Sequence, residues 1–269
     1  MIGIFDSGLG GLIAFKEISK ILPEYSYLYL GDTLRSPYGG RSQEAVYEFT
    51  EKAVDFLFKK GCKLVIVACN TASSESLRKL QQEYLPKLKD KSKNILGVVR
   101  PIAEEAAEIS KTKRIGVVGT KATVTSNVYE IELQNLDKKI KVFQKTCPLL
   151  VPLIEENHSN RPETKKILKN YLRVLKNDNI DTLILGCTHY PILLKEFKKI
   201  MGEKVQVINS SKVIALKLKD YLERHPEIEK GLEKNKKREY LVTDLTQNFT
   251  EMSQRILNEK VEFKKISIN

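Results

Sequence analysis

Two apolar runs in the sequence each end in a cysteine. Cys69 follows residues 64–68, and Cys187 follows residues 183–186. Such runs of aliphatic and β-branched residues predict strands covered on both faces, and the carboxyl ends of parallel strands open into the ligand crevice of an α/β sheet. We therefore expect two thiols in one cleft. Such a pair could remove a proton from one face of a bound carbon acid and return a proton to the other face, which inverts a stereocentre.

Small and polar residues follow both thiols, where helices are expected to begin. The chemistry-bearing ones among them are Asn70, Thr71, Thr188 and His189. Free N–H groups and the positive end of a helix favour anions, so we expect a thiol pKa below the usual ~8.5 and an anionic ligand. The alternative is that both cysteines pack as small buried hydrophobes. Because both cysteines stand at the end of a predicted strand and are followed by polar residues, we favour a catalytic role over simple packing.

Asp6 is a further candidate because it closes the predicted strand 2–5 and precedes Ser7 and a glycine-rich turn. Glycine lets the backbone approach a ligand closely. A cap for the following helix is the simpler role for Asp6. The turn is not a dinucleotide fingerprint, because Ile13 stands where G-x-G-x-x-G requires glycine, and the chain has no G-x-x-x-x-G-K-[ST] motif.

Two more groups could control the protonation of Cys187. His189 lies two positions after it, and Glu155 follows the apolar run 149–154. A histidine or carboxylate near a thiol can accept or hold its proton. Taken alone, Glu155 would be expected to lie in solvent.

Strands and helices alternate along the chain, which predicts parallel sheets. The elements predicted for the first part are strands at 2–5, 25–30 and 63–68, helices at 10–22, 42–60 and from Cys69 to about residue 84, and a loop at 31–39. Ser42 is expected to cap the second helix. Near the end we predict a surface excursion at 225–238, a last strand at 240–242 and a helix at 246–257.

An internal repeat divides this pattern in two. Residues 114–120 are similar to the opening strand and turn at an offset of 113, and the two cysteines lie 118 residues apart. The repeat predicts two similar parallel-sheet α/β domains facing each other across a substrate cleft. We place the first domain at 1–96 plus 207–269 and the second at 97–206.

Composition is consistent with a two-domain, cytoplasmic enzyme. The chain has 269 residues, without the apolar run of a membrane span or the layout of a signal peptide at its start. Its four cysteines are expected to be reduced, and Cys62 and Cys147 lack C-x-x-C spacing, so no zinc site is predicted. The net charge of +12 is spread thinly, which favours a solvated surface over specific nucleic-acid binding.

Six segments in order resemble the glutamate racemases of the cofactor-independent aspartate/glutamate racemase superfamily. They are residues 3–11, 31–39 apart from 33 and 34, 67–73, 119–123, 151–156 and 186–191. The last sixty or so residues match only loosely, and Leu34 stands where members of that family often have alanine.

The resemblance implies that Cys69 and Cys187 are the acid/base residues on opposite faces of glutamate. Asp6 would assist Cys69, while Glu155 and His189 would serve Cys187. The substrate contacts it implies are Asp6, Ser7, Tyr38, Gly39, Asn70, Thr71, Thr188 and His189. It also implies that no cofactor or metal is needed, that D-glutamate feeds peptidoglycan synthesis, and that the chain could form a homodimer without membrane or specific nucleic-acid partners.

Three other functions remain open. Aspartate could be racemised by the same two thiols. One cysteine could act as a covalent nucleophile with His189 as its base, in acyl transfer or amide hydrolysis. The positive charge could also belong to a nucleic-acid-binding module.

Overall fold

The structure is a computed structural model that describes residues 1–268; Asn269, the last residue of the first predicted domain, lies outside them. The strands in residues 1–268 are β1 Ile2–Asp6, β2 Tyr27–Gly31, β3 Leu64–Val67, β4 Asn94–Gly97, β5 Arg114–Gly119, β6 Lys141–Thr146, β7 Thr182–Gly186, β8 Gln206–Val207, β9 Arg238–Val242 and β10 Phe263–Lys265. The α-helices are α1 Gly11–Ile21, α2 Gln43–Lys59, α3 Asn70–Lys79, α4 Val99–Ile109, α5 Lys121–Thr125, α6 Val128–Leu136, α7 Leu150–Glu155, α8 Pro162–Asn177, α9 Leu194–Met201, α10 Ser210–Arg224, α11 Pro226–Glu229 and α12 Gln247–Leu257.

The strands form two sheets in which all neighbouring strands are parallel. The first sheet has the order β10-β9-β2-β1-β3-β4, and the second has the order β6-β5-β7-β8. The α/β prediction is confirmed. The order β2-β1-β3-β4 recurs as β6-β5-β7-β8, so Cys69, just after β3, and Cys187, after β7, follow equivalent strands of the two sheets.

Three apolar clusters hold these layers together. One joins the two sheets, with side chains from β1, β3 and β5 packed among those of α1, α4 and α10. The second covers the other face of the first sheet with α2 and α3. The third covers the other face of the second sheet with α8 and α9. Because both sheets are covered on both faces, their ligand-accessible edges are the strand ends.

The local sequence explains the bounds of α2. Ser42 Oγ accepts a hydrogen bond from the Ala45 N–H at 3.3 Å, which confirms the predicted cap. At the other end Gly61 has a φ of +90°, a conformation that favours glycine. No helix within residues 1–268 has the length and apolarity to cross a membrane.

Two predicted element boundaries are wrong. The strand predicted at 240–242 is not the last one, because β10 follows α12 as a three-residue edge strand too short to show an alternating pattern. The α-helix expected directly after Cys187 begins only at Leu194. A 3-10 helix, Tyr190–Leu193, intervenes with Pro191 in its first turn.

We propose two domains along these sheets, residues 1–96 plus 207–269 and residues 97–206. Strand membership supports this division: β4 ends at Gly97, and β8 ends at Val207.

Candidate active site

Cys69 lies where β3 passes into α3. Its backbone is extended, and Ser73 N–H in the first turn of α3 donates to its carbonyl at 2.8 Å. Its Sγ lies 3.4 Å from Ser7 Oγ, which follows the neighbouring strand β1. Cys69 is 5% exposed.

Asp6, the last residue of β1, lies beside this thiol. It is fully buried, and its Oδ1 accepts a hydrogen bond from Gly8 N–H at 2.9 Å. Burial raises the pKa of Asp6 to about 6, against the opposing effects of His189 and of the Gly8 amide. At neutral pH Asp6 is therefore a buried carboxylate close to its own titration range.

The environment of Cys69 overturns one prediction. Burial, and after it the charge of Asp6, raises the pKa of the Cys69 thiol to about 12. Hydrogen bonds from Ser7 and from the Ala72 N–H at the start of α3 oppose this shift only in part. The expected lowering of the Cys69 pKa is wrong because loss of hydration outweighs the helix terminus.

Cys187 has a different set of neighbours. Its Sγ lies 3.8 Å from His189 Nδ1, and His189 Nε2 lies 3.0 Å from Glu155 Oε1 at the end of α7. Burial would lower the pKa of His189, but its bonds to Cys187 and Glu155 outweigh burial and raise that pKa to about 10. At neutral pH His189 is a buried cation between a sulfur and a carboxylate.

Contacts between the two halves bring these groups to one place. A Cβ built on Gly10 would overlap Thr188 and lie 2.6 Å from His189 Nδ1. A Cβ on Gly39 would lie 2.6 Å from Thr120 Cβ. Because neither glycine has a side chain, the carboxyl ends of the strands in one sheet can approach those in the other sheet closely enough to touch.

Two hydrogen bonds cross the same boundary. Thr71 Oγ1 lies 2.9 Å from Thr120 Oγ1, and Tyr129 Oη donates to Asn70 Oδ1 at 2.6 Å. The charge of Cys187 also contributes to the raised pKa of Cys69, so the two sulfurs lie within electrostatic reach of each other.

The remaining predicted substrate contacts gather around these groups. Ser7 and Thr188 are buried beside the cysteines. Tyr38 begins a 3-10 turn, Tyr38–Gly40, and its hydroxyl donates to Asp32 Oδ2 at 2.5 Å. Because that hydroxyl is already bonded, a contact from Tyr38 to a ligand would come from its backbone, next to Gly39.

Sequence reasoning missed Thr120, Thr123 and Tyr129 as members of the site. The first two form a hydroxyl cluster with Thr71. The internal repeat could have indicated Thr120, because it follows β5 as Ser7 follows β1. Tyr129 has no local signal, since its partner Asn70 is 59 residues away.

A metal centre has no support from side-chain grouping: within residues 1–268 no cluster of three or more His, Cys, Asp or Glu residues is arranged to hold an ion. The arrangement instead offers two thiols with unequal neighbours, one beside a carboxylate and one beside an imidazolium. Such a pair can exchange protons with a small carbon acid held between them.

The chain is similar to known glutamate racemases in sequence and in structure. A glutamate racemase from Aquifex aeolicus (strain VF5) is 42% identical over 264 residues, which is 98% of this chain and 96% of that protein. The crystal structure of a glutamate racemase isoform from Bacillus anthracis matches with a TM-score of 0.91 and 36% identity, covering 100% of this chain and 97% of that one. The Francisella tularensis glutamate racemase, solved in complex with D-glutamate, matches with a TM-score of 0.89 and 30% identity over 100% and 97% of the two chains.

The sequence model of the Asp/Glu/hydantoin racemases matches residues 15–218, a span that includes both Cys69 and Cys187. With more than half of its length matched, and with full-length relatives above 30% identity, the chain belongs to the Asp/Glu/hydantoin racemase family.

Proposed function

We propose that this amino-acid racemase interconverts L- and D-glutamate by proton transfer between Cys69 and Cys187. The observation that carries the proposal is the position of the two thiols, which follow equivalent strands of two sheets whose carboxyl edges touch. Similarity to the Aquifex, Bacillus and Francisella glutamate racemases supports the choice of glutamate.

The unequal neighbours of the thiols define the resting state of the proposed cycle. Burial and Asp6 keep Cys69 as a thiol, because its pKa is raised to about 12. Protonated His189 places a positive charge 3.8 Å from Cys187 Sγ, and in the proposed cycle Cys187 starts as the base. Glu155 holds His189 from its other nitrogen.

In the proposed cycle one cysteine takes a proton from the substrate and the other gives one back. The Cys187 thiolate takes the Cα proton from one face of glutamate and becomes a thiol, leaving the electron pair on the substrate carbon. The Cys69 thiol donates its proton to the opposite face and becomes a thiolate. The net charge of the site is unchanged, and the reverse reaction starts from the state with the two roles exchanged.

The Cα proton of an amino acid is a very weak acid, so the site must stabilise the carbanion. The groups available for this are the hydroxyls and amides of Ser7, Asn70, Thr71 and Thr188. Each cysteine is only 5% exposed, which keeps competing water away from the developing charge. In this proposal those fixed dipoles do the work that a pyridoxal electron sink does in other enzymes, so no cofactor is required.

The proposed role in the cell is to supply D-glutamate for peptidoglycan synthesis from the cytoplasm. A homodimer, and the absence of membrane or specific nucleic-acid partners, remain predictions from the sequence. Free glutamate is the only partner that the proposed reaction needs.

Incubation with L-glutamate in D2O tests the function. The enzyme is first treated with a chelator and a carbonyl reagent, which remove metal ions and pyridoxal phosphate. We expect D-glutamate to form with deuterium at Cα. Failure to form D-glutamate or to incorporate deuterium would overturn the proposal, and faster turnover of L-aspartate in a parallel reaction would overturn the choice of substrate.

A further inference from the structure

Tyr129 lies at the boundary between the two sheets and has no role in the proposed proton transfer. It belongs to α6, beside the second sheet, and its side chain is completely buried. A Cβ built on Gly186 would lie 3.1 Å from Tyr129 Cε2, so the ring packs against the residue directly before Cys187. The hydroxyl on the neighbouring ring carbon reaches Asn70, the residue directly after Cys69.

The hydrogen bond between Tyr129 and Asn70 has a defined direction. Burial, and after it the charge of Cys187, raises the pKa of the Tyr129 hydroxyl well above its usual value, so it stays protonated. It donates to Asn70 Oδ1 at 2.6 Å, in surroundings where both residues are almost free of water contact. A carboxamide has an oxygen that accepts hydrogen bonds and an NH2 group that donates them. A buried donor bonded to the oxygen therefore fixes the direction in which the NH2 group points.

The donor end of Asn70 is thereby left for a ligand. Its Oδ1 is bonded to the Tyr129 hydroxyl, so the N–H end of the carboxamide points away from that hydroxyl. Asn70 lies in the first turn of α3, between the Cys69 backbone and the Thr71–Thr120 contact. An anionic oxygen held between the two thiols is an acceptor that an N–H group in this position could bind.

We propose that Tyr129 is a positioning residue that orients the Asn70 carboxamide so that its N–H group binds a carboxylate of the substrate. The inference rests on the proposed function, because it assumes glutamate as the bound anion. Through this one bond, a residue of the second half sets the binding geometry next to the cysteine of the first half.

The first test is Tyr129→Phe, which removes only the hydroxyl. We expect the Kd and KM for glutamate to rise about fivefold to tenfold while kcat changes by less than about twofold, because a contact that is equal in ground and transition states affects binding alone. Tyr27→Phe is the matched control. Tyr27 is also fully buried and donates to a carbonyl, that of Leu22 at 2.7 Å, but it lies at the amino end of β2, away from the thiols.

Two further variants separate positioning from a structural role. In an Asn70→Ala background, Tyr129→Phe should cause no additional loss of glutamate binding by calorimetry, since the bond is already absent. Asn70→Asp keeps an acceptor for Tyr129 but has no N–H group, and should bind glutamate at least about tenfold more weakly than the wild type. This second variant also decides the question if Tyr129→Phe fails to fold.

The outcomes distinguish the inference from the function. A wild-type enzyme that does not racemise glutamate overturns both. An active wild type with an unchanged Kd in Tyr129→Phe, an undiminished effect in the Asn70→Ala background, or normal glutamate binding by Asn70→Asp overturns the role of Tyr129 and leaves the racemase proposal standing.

Discussion

The surroundings of Cys69 and Cys187 differ although the fold around them repeats. Each thiol follows the third strand of an equivalent four-strand order, β2-β1-β3-β4 in one sheet and β6-β5-β7-β8 in the other. The strand beside Cys69 ends in Asp6, a carboxylate. The loop after Cys187 instead supplies His189, a cation held by Glu155.

This difference shows how one architecture can produce two protonation states. Both Asp6 and His189 have a raised pKa, but for opposite reasons. Burial makes it costly to ionise Asp6, whereas hydrogen bonds stabilise the ionised form of His189. The raised pKa of Cys69 therefore keeps the proton on its sulfur, whereas beside Cys187 the proton is held by the His189 imidazole.

The largest expected effect comes from removing either thiol. Cys69→Ser and Cys187→Ser should each lower kcat for both L- and D-glutamate by at least about 10³-fold, because each direction needs one base and one acid. Polarimetry or circular dichroism in both directions measures this.

Cys62→Ala provides the matched control, since Cys62 is equally buried but lies at the other end of β3. It should keep its activity. If either serine variant were nearly as active as wild type, the two-base comparison would fail and a single covalent cysteine with His189 as base would be favoured.

The second prediction concerns stability and uses the opposite origins of the two pKa shifts. Asp6 titrates near pH 6 in the fold instead of 3.8, so the stability that its protonated form contributes is lost as the pH rises towards 6. Asparagine does not ionise, so the Asp6→Asn variant does not undergo this pH-dependent loss of stability. Its free energy of unfolding relative to wild type should therefore increase by about 3 kcal/mol between about pH 3.5 and pH 8, although racemisation falls.

His189→Gln should show its pH dependence in a higher pH range, because the pKa of His189 is raised from 6.5 to about 10. The stability contributed by protonated His189 is fully present below its ordinary pKa of 6.5 and is lost as the pH rises through about 10. The variant should thus be less stable than wild type at neutral pH, with a deficit that shrinks towards pH 10. Urea unfolding at a series of pH values measures both variants, and a His189→Gln deficit that changed over the same acidic range as the Asp6→Asn difference would contradict the contrast between the sites.

Much of the fold was predictable because it depends on local patterns. The apolar runs before Cys69 and Cys187 indicated buried parallel strands, and Ser42 indicated the start of α2. The three residues of β10 carried no such pattern, because Lys264 and Lys265 lie exposed at a sheet edge.

The site was predictable in composition but not in its energetics. The residue types after each cysteine indicated where the chemistry lies. The raised pKa of Cys69 depends on how completely its surroundings exclude water, and the bond between Tyr129 and Asn70 depends on a tertiary contact. Neither quantity has a local signature in the sequence, so reasoning from the helix terminus alone gave the wrong direction for the Cys69 pKa.

The smallest of these effects tests how closely the two sides must approach. A Cβ on Gly39 would lie 2.6 Å from Thr120 Cβ, whereas a Cβ on Gly40 would have no atom within 4 Å. Gly39→Ala should therefore hold the two halves slightly apart and lower kcat/KM about tenfold, because a misplacement on the order of 1 Å disturbs reacting geometry strongly. Gly40→Ala should match wild type in steady-state assays. Equal activity of the two variants would show that proton transfer tolerates a wider gap, and the contact between Gly39 and Thr120 would then have no part in placing the acid of one half against the base of the other.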